Sequence, residues 1–138
     1  MKRDLEFASH PGNLCLVRNF VREFLAPLAL ADSEKDLIIL GLDEACTNVI
    51  RYAYSHAPDQ PMHLSCEVEK TQIVIRLRDF GAQCESAKLE GRPLDLVKPG
   101  GLGIHLIRRA FSTVEYRPQT AGTELVMTKD FEVSRNGE

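Results

Sequence analysis

Apolar residues recur along this chain with two different periods, and the switches between them outline a fold. Near the start, Leu5 and Phe7 alternate with polar neighbours, which predicts a short strand broken by the turn-forming HPGN. From there the apolar positions are Leu14, Val17, Val21, Phe24, Leu25 and Leu28. Steps of three and four place them on one face of an amphipathic helix, which should close around Pro27. A second helix is expected from Ser33, whose hydroxyl suits the cap, with Asp36 favourably placed three residues on, to about Tyr54. It is mostly apolar, so it should be central and largely buried, and its polar residues call for explanation.

Past the loop HAPDQP the period changes to two. Met62, Leu64, Cys66 and Val68 alternate with polar residues, Lys70 and Thr71 make a tight connection, and Ile73, Ile75 and Leu77 alternate again. This pattern predicts a hairpin. After Gly81 the period vanishes over AQCESAKLEGRPLDLVKPGG, and a structureless stretch of that length inside a compact domain is usually a lid or binding loop. The segment GLGIHLIRRAF then reads as a helix, and TVEYR and TELVMTK read as strands joined by PQTAG. The polar residues 130–138 are expected to fray. Hairpins dominate this order, so the expected fold is α+β. It is a two-layer sandwich of a mostly antiparallel mixed sheet, with helices on one face, in one domain spanning 1–138.

Composition narrows the function classes. A chain of 138 residues can bury one real core, and its net charge of −3 is mixed along the sequence. No basic patch interleaved with aromatics occurs, so direct nucleic-acid binding is not expected. No apolar run long enough to span a membrane occurs, and the opening MKRDLEFASHPG lacks the apolar core of a signal peptide, so a cytoplasmic protein is expected. Cys15, Cys46, Cys66 and Cys84 form no Cys-x-x-Cys pair and read as reduced thiols. The histidines His10, His56, His63 and His105 have no ligand spacing and read as surface residues.

Three stretches carry candidate chemistry. Glu44 and Asn48 lie four apart and share a face of the apolar second helix. There the carboxylate could take a proton and the amide oxygen could bind a hard cation; a solvent-facing polar stripe would look the same. Glycines in GGLGIHLI stand where a helix begins, a place with free amides and partial positive charge suited to phosphate, although a plain hinge also uses glycine. Asp79, in RDFGA, ends a strand. Its carboxylate could accept from an exocyclic amine while Gly81 lets a planar ring approach, or the pair could form an ordinary turn. The letters Asp-Phe-Gly also mark the magnesium loop of protein kinases, but neither the Val-Ala-Ile-Lys strand nor the His-Arg-Asp loop of that fold is present.

Taken in order, DEACTNVIRYAY, RDFGA, GGLGIHLI and GTELVMTK resemble the ATPase superfamily of gyrase, heat-shock chaperones, histidine kinases and mismatch-repair proteins. More narrowly, over about residues 5–130, they are similar to the bacterial anti-sigma-factor serine/threonine kinases. The resemblance implies that Asn48 holds a magnesium ion bridging the ATP phosphates and that Glu44 is the general base. It implies that Asp79 binds the adenine amine, with Gly81 beneath the ring and Thr123 supporting it from the neighbouring strand. Gly101, Leu102 and Gly103 would offer amides to phosphate, and 82–99 would be the ATP lid. Expected partners are an anti-anti-sigma antagonist phosphorylated on serine or threonine, a sequestered sigma factor, and a second copy in a homodimer. The alternative is a module that binds ATP and sequesters a regulator without phosphoryl transfer. Two departures bear on this. Gln83 stands where the family often has a second glycine, and Tyr52 stands where it often has histidine.

Overall fold

The computed structural model describes residues 1–82 and 102–131. Strands β1 (Lys2–Ala8), β2 (Pro61–Glu69), β3 (Gln72–Asp79), β4 (Thr113–Pro118) and β5 (Thr123–Asp130) form one sheet in the order β1-β2-β3-β5-β4. Every neighbouring pair is antiparallel, so among the described residues the sheet is purely antiparallel and not mixed. Helices α1 (Leu14–Leu25), α2 (Asp32–Asn48) and α3 (Leu102–Ala110) complete the expected element order. The two-layer α+β reading holds.

Register explains why one face is apolar. Leu5, Leu64, Leu77, Leu125 and Tyr116 lie in one cross-strand row, and Cys66, Ile75, Met127 and Val114 in the next. Because side chains alternate along a strand, these rows share a face. The central residues of both rows are fully buried, together with Val17, Val21 and Phe24 of α1 and Ile38, Leu42 and Cys46 of α2. The opposite face carries Arg76, Glu67, Arg78 and Glu124, and the Arg76–Glu67 ion pair (3.2 Å) lies across it.

Each helix is placed by its own sequence. The apolar stripe of α1 faces the core as expected, and an Arg18–Asp43 ion pair (2.7 Å) ties α1 to α2. The start of α2 differs from expectation. The helix begins at Asp32, and Glu34 accepts from the Ala31 N–H (3.2 Å), so Ser33 sits inside the first turn and caps nothing. Glu34 wins because its longer side chain reaches back to the N-cap amide from the third helical position. Helix α3 lies close against α2. A Cβ added at Gly41 would stand 2.7 Å from Ala110 Cβ, so only glycine permits that approach.

The chain end also departs from expectation. Asp130 closes β5, and the Phe131 N–H donates to Thr71 O (2.9 Å) while its ring packs on the core. Residues 130 and 131 are therefore held, because β5 is an interior strand: the Asp130 N–H donates to Ser112 Oγ (3.0 Å) on one side and the Phe131 N–H to the β2–β3 turn on the other. The remainder of the expected tail, 132–138, lies outside the described residues.

Candidate functional site

The site is built where the C-terminal end of α2 meets the C-terminal end of β3. Glu44 and Asn48 fall one turn apart in the last turns of α2, both half-buried. The Asn48 side-chain oxygen Oδ1 is fully buried and has no hydrogen-bond partner. An amide oxygen shielded from water and unpaired is costly, so it marks a position where an external group can repay the loss. A hard cation fits that demand, since amide oxygen is a ligand type such ions accept. Among the described residues no group of three or more His, Cys, Asp or Glu side chains converges on a possible metal position.

Asp79 owes its position to strand arithmetic. Ile73, Ile75, Leu77 and Asp79 alternate along β3 on the helix-facing side. In its own row Asp79 is flanked by Met62 and Phe7 on one side and Thr123 on the other. A carboxylate therefore occupies a slot that the pattern reserves for a core residue, and it is only 4% exposed. It accepts from the Gly81 N–H (3.0 Å) and from the Thr123 N–H. Burial pushes the Asp79 carboxyl above the usual carboxylate range, opposed by the Gly81 N–H, the Arg78 guanidinium and the Thr123 N–H. Two backbone donors use only part of what a two-oxygen carboxylate can accept, which leaves acceptor capacity for a further donor.

The segment Asp79–Ala82 leaves the sheet as a strap across the end of α2. Its Ala82 N–H donates to Ala53 O (2.8 Å), and its Phe80 N–H donates to the Tyr54 hydroxyl (2.7 Å). Gly81 sits so close to this turn that an added Cβ would lie 2.3 Å from Ala53 O. On the other side, Gly122 (φ +77°) presses against the strap, where a Cβ would lie 2.0 Å from Asp79 O. Helix α2 does not run unbroken to Tyr54 as expected. After Asn48 it widens into a π-turn over Val49–Ala53, with the Tyr54 N–H donating to Val49 O (3.0 Å). Ser55 (φ +48°) and His56 (φ +69°) then turn the chain away in the left-handed region.

The structure thus brings Asp79, Gly81 and Thr123 together where the strap meets the turn that follows α2, and it places Glu44 and Asn48 in the last turns of that helix. Leu102 and Gly103 open α3, which packs on α2; Gly101 and the expected lid, apart from Ala82, lie outside the described residues. Two residues at this junction escaped the sequence reading. Gly122 had a signal, a glycine immediately before a strand, and Tyr54 had only its place at the end of an apolar helix. The cysteine reading agrees at the described positions: Cys15, Cys46 and Cys66 are free thiols, and burial pushes the Cys66 thiol up to about 12. A depression of about 620 Å³ lined by Glu69, Lys70, Thr71, Gln72 and Asp130 lies at the far end of β3 from Asp79, on the surface of the turn.

Comparison with known proteins agrees with this architecture. The chain is 30% identical over 145 residues to an anti-sigma F factor of Pasteuria penetrans, covering 99% of this chain and 97% of that one. It is 26% identical to an anti-sigma F factor of Clostridium beijerinckii, covering 96% of each. It is also 31% identical to the serine-protein kinase RsbW of Halalkalibacterium halodurans, over 67% of this chain and 60% of that one. Among solved structures, a Mycobacterium tuberculosis protein with RsbU and RsbW domains superposes with a TM-score of 0.68 at 14% identity. That likeness covers 94% of this chain and spans about a third (32%) of the larger one. No described helix is long and apolar enough to cross a membrane. The histidine kinase-like ATPase domain matches residues 7–129, and the chain belongs to that family.

Proposed function

We propose that this protein is a magnesium-ATP-dependent serine/threonine kinase of the anti-sigma type. It would phosphorylate a small antagonist protein and, in the alternate partner state, sequester a sigma factor in the cytoplasm. The observation that carries the reading is the buried, unpartnered Asn48 Oδ1 one turn after Glu44, beside a strap that presents Asp79. The relatives named anti-sigma F factor and RsbW serine-protein kinase support the partner class and the acceptor residue.

In this reading Asp79 accepts from the adenine amino group, Gly81 lies beneath the ring, and Thr123 supports it. The amides of Gly101, Leu102 and Gly103, at the start of α3, receive the phosphates, a role suited to a helix N-terminus. Asn48 would hold a magnesium ion, which when bound offsets phosphate charge and aligns the reacting groups. The acceptor hydroxyl oxygen bonds to the γ-phosphorus as the bond to the β,γ-bridging oxygen breaks, and ADP leaves. Glu44 accepts the hydroxyl proton. Most of the acceleration would come from positioning and charge stabilisation, with proton removal a smaller share. A homodimer is the proposed assembly.

The test is incubation with magnesium, γ-labelled ATP and a small antagonist protein that this chain captures. The expected product is an acid-stable phosphate on one serine or threonine of the antagonist. A folded protein that captures the antagonist and binds ATP but transfers no label would overturn the kinase reading and favour nucleotide-gated sequestration.

A further inference from the structure

We infer that Tyr54, with the π-turn that delivers it, is the positioning residue that fixes the adenine-reading strap relative to Asn48 and Glu44. The inference rests on the nucleotide-site reading above and deepens it, by assigning adenine selectivity to a residue that touches no nucleotide.

Three contacts converge on this one side chain. The Tyr54 hydroxyl accepts from the Phe80 N–H (2.7 Å) and donates to Pro61 O (2.5 Å), so it bridges the strap to the start of β2. The ring lies against Gly81, where an added Cβ would meet Cδ1 at 2.7 Å. The adjacent carbonyl, Ala53 O, takes the Ala82 N–H. Phe80 and Ala82 therefore hang from two consecutive residues of the turn, and Asp79 is held at the fixed end. Tyr54 is only 7% exposed, so water competes poorly for its hydroxyl.

The π-turn is what makes the contact possible. In an unbroken α-helix the Tyr54 N–H would bond to Ile50 O; here it bonds to Val49 O. One inserted residue rotates everything after it by about 100° relative to a continuous helix. That rotation separates two jobs on one helix. Asn48, before the turn, keeps the α-helical face it shares with Glu44, while Tyr54, after it, faces the strap. A π-turn lacks the stability of regular helix and tends to mark functional positions. Here it links the proposed phosphate-and-metal end of the site to the adenine end within six residues of one chain.

The test uses Tyr54→Phe in the full chain and compares ATP with inosine triphosphate, which lacks the exocyclic amine that Asp79 would accept from. Binding of each with magnesium is measured by calorimetry, and exchange of the Phe80 amide is followed by NMR. The parent should prefer ATP by about tenfold, the scale of one charged hydrogen bond. Tyr54→Phe should bring the two affinities within about twofold and speed Phe80 exchange by at least about tenfold, with inosine triphosphate affinity unchanged. A variant that melts earlier but keeps the parent's ATP preference would show a merely structural tyrosine and overturn the inference. If Tyr54→Phe does not fold, replacing the Phe80 amide by an ester removes the same donor with Tyr54 in place. The preference must then collapse likewise, and its retention would overturn the inference. A parent that binds no adenine nucleotide would instead overturn the nucleotide-site reading itself, a separate result, and this inference with it.

Discussion

Gly122→Ala should destabilise the protein through two additive terms that can be read from the structure. Gly122 has φ +77°, where an L-residue with a Cβ is disfavoured by roughly 1 kcal/mol or slightly more. The Cβ would also stand 2.0 Å from Asp79 O and 2.5 Å from Phe80 Cα. Both are main-chain atoms, so no side-chain rotation can relieve them, and the strap or the β4–β5 turn must shift. Overpacking of that kind costs about 1–3 kcal/mol. The sum is about 2–4 kcal/mol, which for a domain of this length corresponds to a fall in Tm of about 7–14 °C. Thermal unfolding followed by circular dichroism, with a urea titration to check that m is unchanged, measures it. Since the displaced atoms belong to Asp79 and Phe80, magnesium-ATP affinity of the folded variant should fall as well. A Tm within about 2 °C of the parent would refute the reasoning, because it would mean the strap is not packed against Gly122.

Other expectations follow from the same structure. Asn48→Ala should leave folding intact, because it deletes an unpaired polar atom, and should remove magnesium-dependent ATP binding; calorimetry showing parental affinity would reject the metal assignment. Glu44→Gln should bind ATP within about twofold of the parent while phosphoryl transfer falls by roughly 10²- to 10⁴-fold; loss of stability with transfer kept would make Glu44 structural. For Asp79 the sign is fixed by its raised pKa. The folded state holds the proton more tightly than the unfolded one, so this group's contribution to stability decreases as pH rises from the ordinary carboxylate value through the folded one. Asp79→Asn should flatten that part of the stability-versus-pH curve, and an identical curve for the variant would show that Asp79 does not titrate there. ATP affinity should fall as pH drops through the folded pKa, since a protonated carboxyl loses acceptor capacity. Leu64→Ala, which empties a fully buried place in the central sheet row, should cost about 2–5 kcal/mol in urea unfolding without altering ATP preference.

Much of this was legible in the amino-acid order, because periodicity is a local consequence of backbone geometry. Steps of three and four from Leu14 to Leu28 could bury their apolar side chains only as a helix, and the alternation of Ile73, Ile75 and Leu77 only as a strand. The same period of two carries Asp79 onto the buried face, so its unusual burial was implicit in the strand itself. The spacing of Glu44 and Asn48 likewise put them on one helical face. What the order of residues could not supply was the relation between segments far apart in the chain. Whether Asn48 Oδ1 is a solvated amide or a buried orphan depends on what packs around the end of α2. Glycine signals are ambiguous alone, since Gly122 needs its positive φ and its bareness only because Asp79 and Phe80 pass 2.0–2.5 Å from where a side chain would be. The capping of α2 went to Glu34, and the π-turn after Asn48 left no mark in the pattern, because inserting one residue in the hydrogen-bond ladder changes facing without changing composition. Tyr54 reads as one more apolar residue closing a helix until the sheet brings Phe80 to its hydroxyl across 26 residues. Local periods set the elements, but a site made of unpaired atoms and close approaches exists only once those elements are docked, because each such cost or contact is defined by the neighbour.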